Sequence, residues 1–168
     1  MIPNPCRFCR AECCKTYTIT VTAFDILRIS EKTGRKPEEF AILSQARLLA
    51  FDPDTTLDMS DDGWVYLLGI RSHPCVFLGK DDRCVVHDCA PMSCRRYPFQ
   101  LDGKLNTRFC PLPSQLLFRA KGPDIKTGQM VRELDLHKEI VKEWNKKHGS
   151  KEECLGFLLR RAEELAQK

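Results

Sequence analysis

Residues 73–99, HPCVFLGKDDRCVVHDCAPMSCRRYPF, hold four of the ten cysteines of a 168-residue chain. Two short strands, 75–78 and 84–87, are expected around the turn Gly79-Lys80-Asp81-Asp82. A short turn or helix from Ala90 to Arg95 would start at Pro91, whose fixed φ suits a first helical position. Further cysteines lie outside this stretch. Cys110 follows in Phe109-Cys110-Pro111, and the chain opens with Cys6-x2-Cys9-x3-Cys13-Cys14. Eight of these residues, Cys6, Cys9, Cys13, Cys14, Cys75, Cys84, Cys94 and Cys110, read as metal ligands. Thiolates grouped at two distant places in a chain form two local clamps that folding brings together around a soft metal.

Between the two clamps, residues 16–22 (TYTITVT) alternate apolar and polar and suggest a strand. Thr20 or Thr22 would cap a helix over about 23–33, ended by Gly34. Pro37 fits the first turn of a second helix, about 37–50, presenting Phe40, Leu43, Leu48 and Leu49. The acidic run FDPDTTLDMSDDG at 51–63 reads as a solvated loop. It is only superficially like a calcium loop, because Leu57 stands where the sharp-turn glycine is needed. Residues 64–70, WVYLLGI, read as a buried strand.

After Pro111 and Pro113 the composition shifts to Lys and Glu with helical periodicity. Helices are expected over about 128–147 and 151–167, the latter with Ser150 as cap and Glu153 completing a capping box. The expected fold is α+β: a small cysteine-rich metal-binding core with short strands, packed against N-terminal and C-terminal helices. Residues 1–113 would form the cysteine-cluster domain. Residues 114–168 would form a helical C-terminal extension packed on it as one globular unit.

Composition narrows the function classes. No apolar run approaches the ~20 residues of a membrane span. Arg7, Arg10 and Glu12 interrupt the N-terminus where a signal peptide would need its apolar core. A cytoplasmic location follows as the expectation, and reduced thiols there weigh against a disulfide framework. The net charge of +4 does not indicate a nucleic-acid partner. Eight ligand thiolates would add eight negative charges, and two zinc ions would return half of them. Arg7, Arg10, Lys15, Arg71, Arg83, Arg95, Arg96 and Arg108 all lie within four residues of a proposed ligand. Cations so placed lower thiol pKa values and stabilise anionic metal sites.

The Cys13-Cys14 doublet constrains the number of centres. Adjacent side chains point to opposite sides of an extended chain and diverge by roughly 100° in a helix of ~3.6 residues per turn. Three arrangements follow: the doublet serves two centres, both members reach one larger cluster, or one member is a bystander. Two four-thiolate sites or one polynuclear site are the economical counts. Zinc and iron–sulfur both accept four thiolates, so ligand type does not separate them. Adjacent cysteines among eight suit a polynuclear centre better than an ordinary zinc finger, which favours an iron–sulfur cluster, 4Fe-4S in type, with zinc as the alternative.

Of the other two cysteines, Cys154 falls on the apolar side of a helix as a small core residue, and Cys89 sits between ligand candidates. His87 is more fitting as a hydrogen-bond partner than as a ligand. Arg95, Arg96 and Tyr97 are either hydrogen-bond donors to ligand sulfurs or ordinary surface and core residues. No nucleophile-plus-base pair, phosphate-cradling glycine loop or paired-carboxylate motif is present.

Taken together, these motifs resemble the zinc- or iron-chelating CxxCxxCC proteins, a YkgJ-type cysteine-cluster family. The resemblance runs over about residues 6–111. It rests on Cys6, Cys9, Cys13 and Cys14, on Ile19 to Ile26, on Cys75-Val76-Phe77-Leu78, on Cys84 to Cys94, on Arg95 to Phe99, and on Cys110. Three features depart from the family pattern: three residues before the doublet, His87 in place of tyrosine, and Ala90 in place of arginine before Pro91.

The resemblance implies bound iron–sulfur or zinc, and a related domain occurs in flagellin lysine methylases. Three functions are therefore expected as rivals. The first is an iron–sulfur protein in electron transfer or cluster-assisted modification, working with a protein or redox partner. The second is a zinc-stapled structural or interaction module. The third is a group-transfer, methylase-like enzyme, for which a pocket beside the cysteines would be needed.

Overall fold

The computed structural model describes residues 5–46, 52–100, 104–106, 108–122 and 127–167. Its helices are α1 (Glu12–Thr16), α2 (Ala23–Thr33), α3 (Met92–Arg96), α4 (Leu112–Lys121), α5 (Thr127–Lys147) and α6 (Lys151–Ala166). Four short strands, β1 (Ile19–Thr20), β2 (Ala41–Gln45), β3 (Leu57–Asp58) and β4 (Val65–Ile70), form one antiparallel sheet. The protein is α+β, as the sequence pattern implies.

β4 organises the sheet. Tyr66 pairs with both Gln45 and Leu57, and Ile70 with both Ala41 and Ile19. β2 therefore follows one edge, while β1 and β3 share the other at its two ends. Four of the residues from Tyr66 to Ile70 carry buried side chains, Leu68 and Ile70 among them, as expected of a strand covered on both faces. At Gly69 the backbone of β1 comes so close that an added Cβ would stand 3.1 Å from the Ile19 carbonyl. Glycine there admits β1 and, with it, the cysteine segment that precedes it.

α2 begins and ends where the sequence places it. Thr22 Oγ1 accepts the Asp25 N–H and the Asp25 carboxylate accepts the Thr22 N–H, a complete capping box. Gly34 closes the helix at φ 67, in the left-handed region. Its buried face, Ile26 and Ile29, joins Ile140, Trp144, Leu158 and Ala162 of α5 and α6 and the sheet residues Leu57, Leu68 and Ile70 in one core. α6 starts at the Ser150–Glu153 capping box, and α5 and α6 keep the bounds read from periodicity to within a residue or so.

Four expectations are corrected. Residues 37–50 do not form a helix: Pro37–Glu39 is a single 3-10 turn, after which the chain enters β2. Pairing along β4 from Tyr66 to Ile70 outweighs a helix-like spacing of apolar residues; Leu48 and Leu49 lie outside the described residues. The acidic run is not wholly a solvated loop, because Leu57 and Met59 are buried and β3 pairs with β4. α5 holds that segment: Trp144 Nε1 donates to the Asp58 carbonyl at 2.8 Å, and Asn145 bonds both Asp58 N–H and the Thr56 carbonyl. The strand expected at 16–22 shrinks to two residues, and those at 75–78 and 84–87 reduce to one Leu78–Cys84 bridge. α4 was not anticipated: Pro113, which in the sequence marks only a shift in composition, sits in its first turn, where proline starts helices.

Candidate metal centre

The eight proposed ligands reach one region from four pieces of chain. Cys6 lies on a single 3-10 turn, Pro5–Phe8, and the Cys9 N–H donates to the Cys6 carbonyl at 3.1 Å. Ala11 at φ 56 turns the chain into α1, whose first turn carries Cys13 and Cys14. The doublet does not diverge as adjacent side chains in a helix are expected to. Rotation about each Cα–Cβ bond brings the two sulfurs to 3.9 Å.

The middle clamp docks directly on this turn. The Cys75 N–H donates to the Cys14 carbonyl at 2.9 Å, and Leu78 N–H to the Cys75 carbonyl at 2.9 Å. The Leu78–Cys84 bridge and the Val85 N–H to Phe77 carbonyl bond, 3.0 Å, then bring Cys84 alongside. Cys94 arrives on α3, which is tied at two points: Ser93 Oγ donates to the Thr20 carbonyl at 3.2 Å, and Met92 N–H to Asp25 Oδ1 at 3.0 Å.

Cys110 follows a separate route. α4, which it precedes, packs on the 3-10 turn of Cys6, with Ser114 Oγ donating to the Pro5 carbonyl and Gln115 Nε2 to the Cys110 carbonyl, both at 2.7 Å. A ring stack adds to this. Tyr97 meets Tyr17 edge-on at 5.9 Å and Tyr17 meets Phe109 at 5.1 Å, while the Cys110 thiol donates to the Tyr97 hydroxyl at 4.0 Å.

Cys6, Cys9, Cys13, Cys14, Cys75, Cys84 and Cys94 all line a single cavity of about 720 Å³. Cys110 is not among the lining residues; its charge bears on Cys6, and that of Cys9 bears on it. The remaining walls include the apolar residues Ile19, Ile70, Phe77 and Val86 and the polar residues Asp82, Arg83 and His87. Two contacts join head to middle across the rim: Lys15 pairs with Asp82 at 2.8 Å, and Arg83 Nη1 donates to the Cys6 carbonyl at 2.5 Å.

The electrostatics are those of thiols crowded together, with Arg83 and Lys15 as the nearby positive charges. Partial desolvation of its sulfur, then the charges of Cys9 and Cys110, push Cys6 up to about 11 although the residue itself is exposed. Burial takes Cys84 to about 11 as well, and Cys94 is driven far above the ordinary thiol range by burial and then by Cys14, Cys75 and Cys84. Cys13 is pushed up chiefly by its hydrogen bond with Cys14 and then by burial. Cys14, sharing that bond and lying near Lys15, is drawn down to about 7. Among the described residues no three thiol, imidazole or carboxylate groups close on a single point. The donor set fits a soft-metal centre: sulfur ligands of one type, mutually repelling once ionised, facing a shared space that a cation would neutralise.

Other candidates separate cleanly. Cys154 is fully buried in the helical core and pushed up to about 12 by burial alone. Cys89 is buried beside Cys84, in the core and off the cavity wall. Arg95 and Tyr97 line the cavity, whereas Arg96 is buried and donates to the Gln100 carbonyl at 2.6 Å. All ten cysteines are free thiols. Asp25 and the Tyr17–Phe109 contact were not anticipated as supports of the site. The capping-box spacing from Thr22 marks Asp25 as placed, but not as the group that anchors α3.

No curated protein and no solved structure matches the chain significantly. A family model does match, over residues 5–111, and its span begins one residue before Cys6 and ends one after Cys110. That model is CxxCxxCC, "Putative zinc- or iron-chelating domain", and the chain belongs to this family.

Proposed function

We propose that this chain is an iron–sulfur protein, its cysteines holding clusters of the 4Fe-4S type, and that it serves electron transfer or cluster-assisted modification with a protein partner in the reducing cytoplasm. One observation carries the reading. Seven cysteines stand around a cavity of about 720 Å³ instead of closing on a point, whereas structural zinc sites are closed tetrahedra with Zn–S near 2.3 Å. When bound, such a centre supplies one-electron chemistry. The chain's own groups hold and surround it: the thiols bind, Ile19, Ile70, Phe77 and Val86 supply apolar walls, and Lys15, Arg83 and Arg95 offset thiolate charge. The Tyr97 hydroxyl lies where it can hydrogen-bond to the Cys110 sulfur, a contact that tunes reduction potential.

A zinc-stapled module is the second reading. It is favoured by the family description, which names zinc as well as iron, and by four-thiolate sets, which suit zinc as readily as iron. Among the described residues the larger cavity is the one the cysteines themselves line, and the group-transfer reading is left with a smaller one of about 150 Å³ lined by Asp25, Met92 and His137 among others. Purification without oxygen, followed by iron, zinc and acid-labile sulfide analysis, tests the proposal. A brown protein with iron and sulfide in equal amounts is expected. A colourless protein with zinc and no sulfide would replace it with the second reading.

A further inference from the structure

The eight thiols are not equivalent, and the way the chain delivers them sorts them into two sets. One set is gathered around the Cys14 carbonyl. Cys75 bonds to it through its N–H, Cys84 is carried alongside by the Leu78–Cys84 bridge, and Cys94 comes in on α3, which is fastened to β1 through the Ser93 to Thr20 bond. Within this set every pair of sulfurs interacts electrostatically: Cys75 with Cys14, Cys84 with both, and Cys94 with all three.

The other set is gathered by α4 packing on the 3-10 turn of Cys6. This places Cys110 against Cys6 and Cys9, and Cys6 interacts with Cys13 as well. The two sets meet at the doublet, whose sulfurs are 3.9 Å apart; the interactions that cross between the sets, Cys14 with Cys6 and Cys94 with Cys13, both involve one of its members. The extremes of depth fall one in each set, Cys75 buried and Cys6 exposed, with the other six half-buried.

Building on the metal-centre reading, we propose that the chain carries two adjacent four-thiolate centres: an inner one on Cys14, Cys75, Cys84 and Cys94, and an outer one on Cys6, Cys9, Cys13 and Cys110. The Cys13-Cys14 doublet is the wall between them. Its neighbouring sulfurs serve different centres, and this is the use of the doublet that leaves each set with four thiolates. Cys89 and Cys154 belong to neither. The outer centre includes Cys6, the one exposed thiol of the eight, and is the one a partner or an oxidant meets first.

The test is metal stoichiometry of the whole chain, by elemental analysis and native mass spectrometry under anaerobic conditions. Cys6→Ser/Cys9→Ser and, separately, Cys13→Ser should each retain about half of the wild-type metal. Cys75→Ser/Cys84→Ser and Cys14→Ser should retain the complementary half. Loss of all metal in the folded Cys6→Ser/Cys9→Ser variant would overturn the division in favour of a single shared centre, and full retention would overturn the outer centre. Because Cys75 lies in the core, circular dichroism accompanies each inner variant, and the exposed Cys6→Ser/Cys9→Ser pair decides the question if an inner variant fails to fold. The identity of the metal is read separately: zinc in place of iron would defeat the iron–sulfur reading and leave the two halves countable.

Discussion

At the scale of single residues, burial separates structural groups from ligands. Cys154 has apolar neighbours and no thiol partner, so Cys154→Ala should leave metal content unchanged and lower stability by about 1 kcal/mol; elemental analysis and urea unfolding check the two parts. His137 of α5 is buried, and its Nδ1 accepts the Ala23 N–H at 3.3 Å. Burial pulls its pKa from 6.5 down to about 4, against an opposing pull from Asp25. Above pH 6.5 it is neutral in folded and unfolded chains alike and contributes nothing to the pH dependence. Between about 6.5 and 4 the unfolded chain takes up the proton first, so stability falls as pH falls, by about 3 kcal/mol over the window. Unfolding free energies measured at pH 7 and pH 4.5 should show this slope, and His137→Gln should flatten it.

At the scale of elements, Asp25 joins three pieces of chain. Its carboxylate caps α2 through Thr22, pairs with Arg28 at 2.8 Å, and accepts the Met92 N–H that starts α3; Arg28 in turn reaches Glu133 of α5 at 2.5 Å. Asp25→Ala would leave the buried Met92 N–H without its partner and the half-buried Arg28 with Glu133 alone, so a cost of about 2 kcal/mol is expected, with reduced metal occupancy because α3 delivers Cys94. Denaturant unfolding and metal analysis of the same variant measure both effects. Local signals were sufficient for elements with their own punctuation: Thr22 and Gly34 bound α2, and Ser150 with Glu153 starts α6. They failed where a partner strand decides. Nothing local distinguishes Ala41–Gln45 from a helix until β4 is alongside, and Leu57 looks like a loop residue until Trp144 and Asn145 pin its neighbours.

At the scale of the whole molecule, the cysteine region and the helical core meet along β4 and α2 but rest on different forces. The core of α2, α5, α6 and the sheet is apolar, with Trp144, Ile140 and Leu158 fully buried, whereas the segment from Pro5 to Thr16 is joined to the rest mainly at thiols and backbone bonds. Removing metal with a chelator under reducing conditions should therefore spare most of the helical circular dichroism while residues 5–16 become open to proteolysis, seen as early cleavage near Arg10 or Lys15. Binding should also release protons, since several of these thiols titrate well above neutral pH when metal-free. The ligand candidates were legible because metal coordination demands a residue type at a spacing, and that survives without knowledge of the fold. Their division was not, because it depends on α4 meeting the first turn across a hundred residues of sequence.

The shared core also sets where the chain can be cut. The family-matched span stops at residue 111, yet Ile26 and Ile29 are covered by Ile140, Trp144, Leu158 and Ala162. A fragment ending at 111 would present that greasy face to water, and size-exclusion chromatography should find it in the void volume. Expression of the cysteine-bearing part in isolation is thus expected to give aggregates unless residues 127–166 are kept in the same polypeptide or supplied beside it.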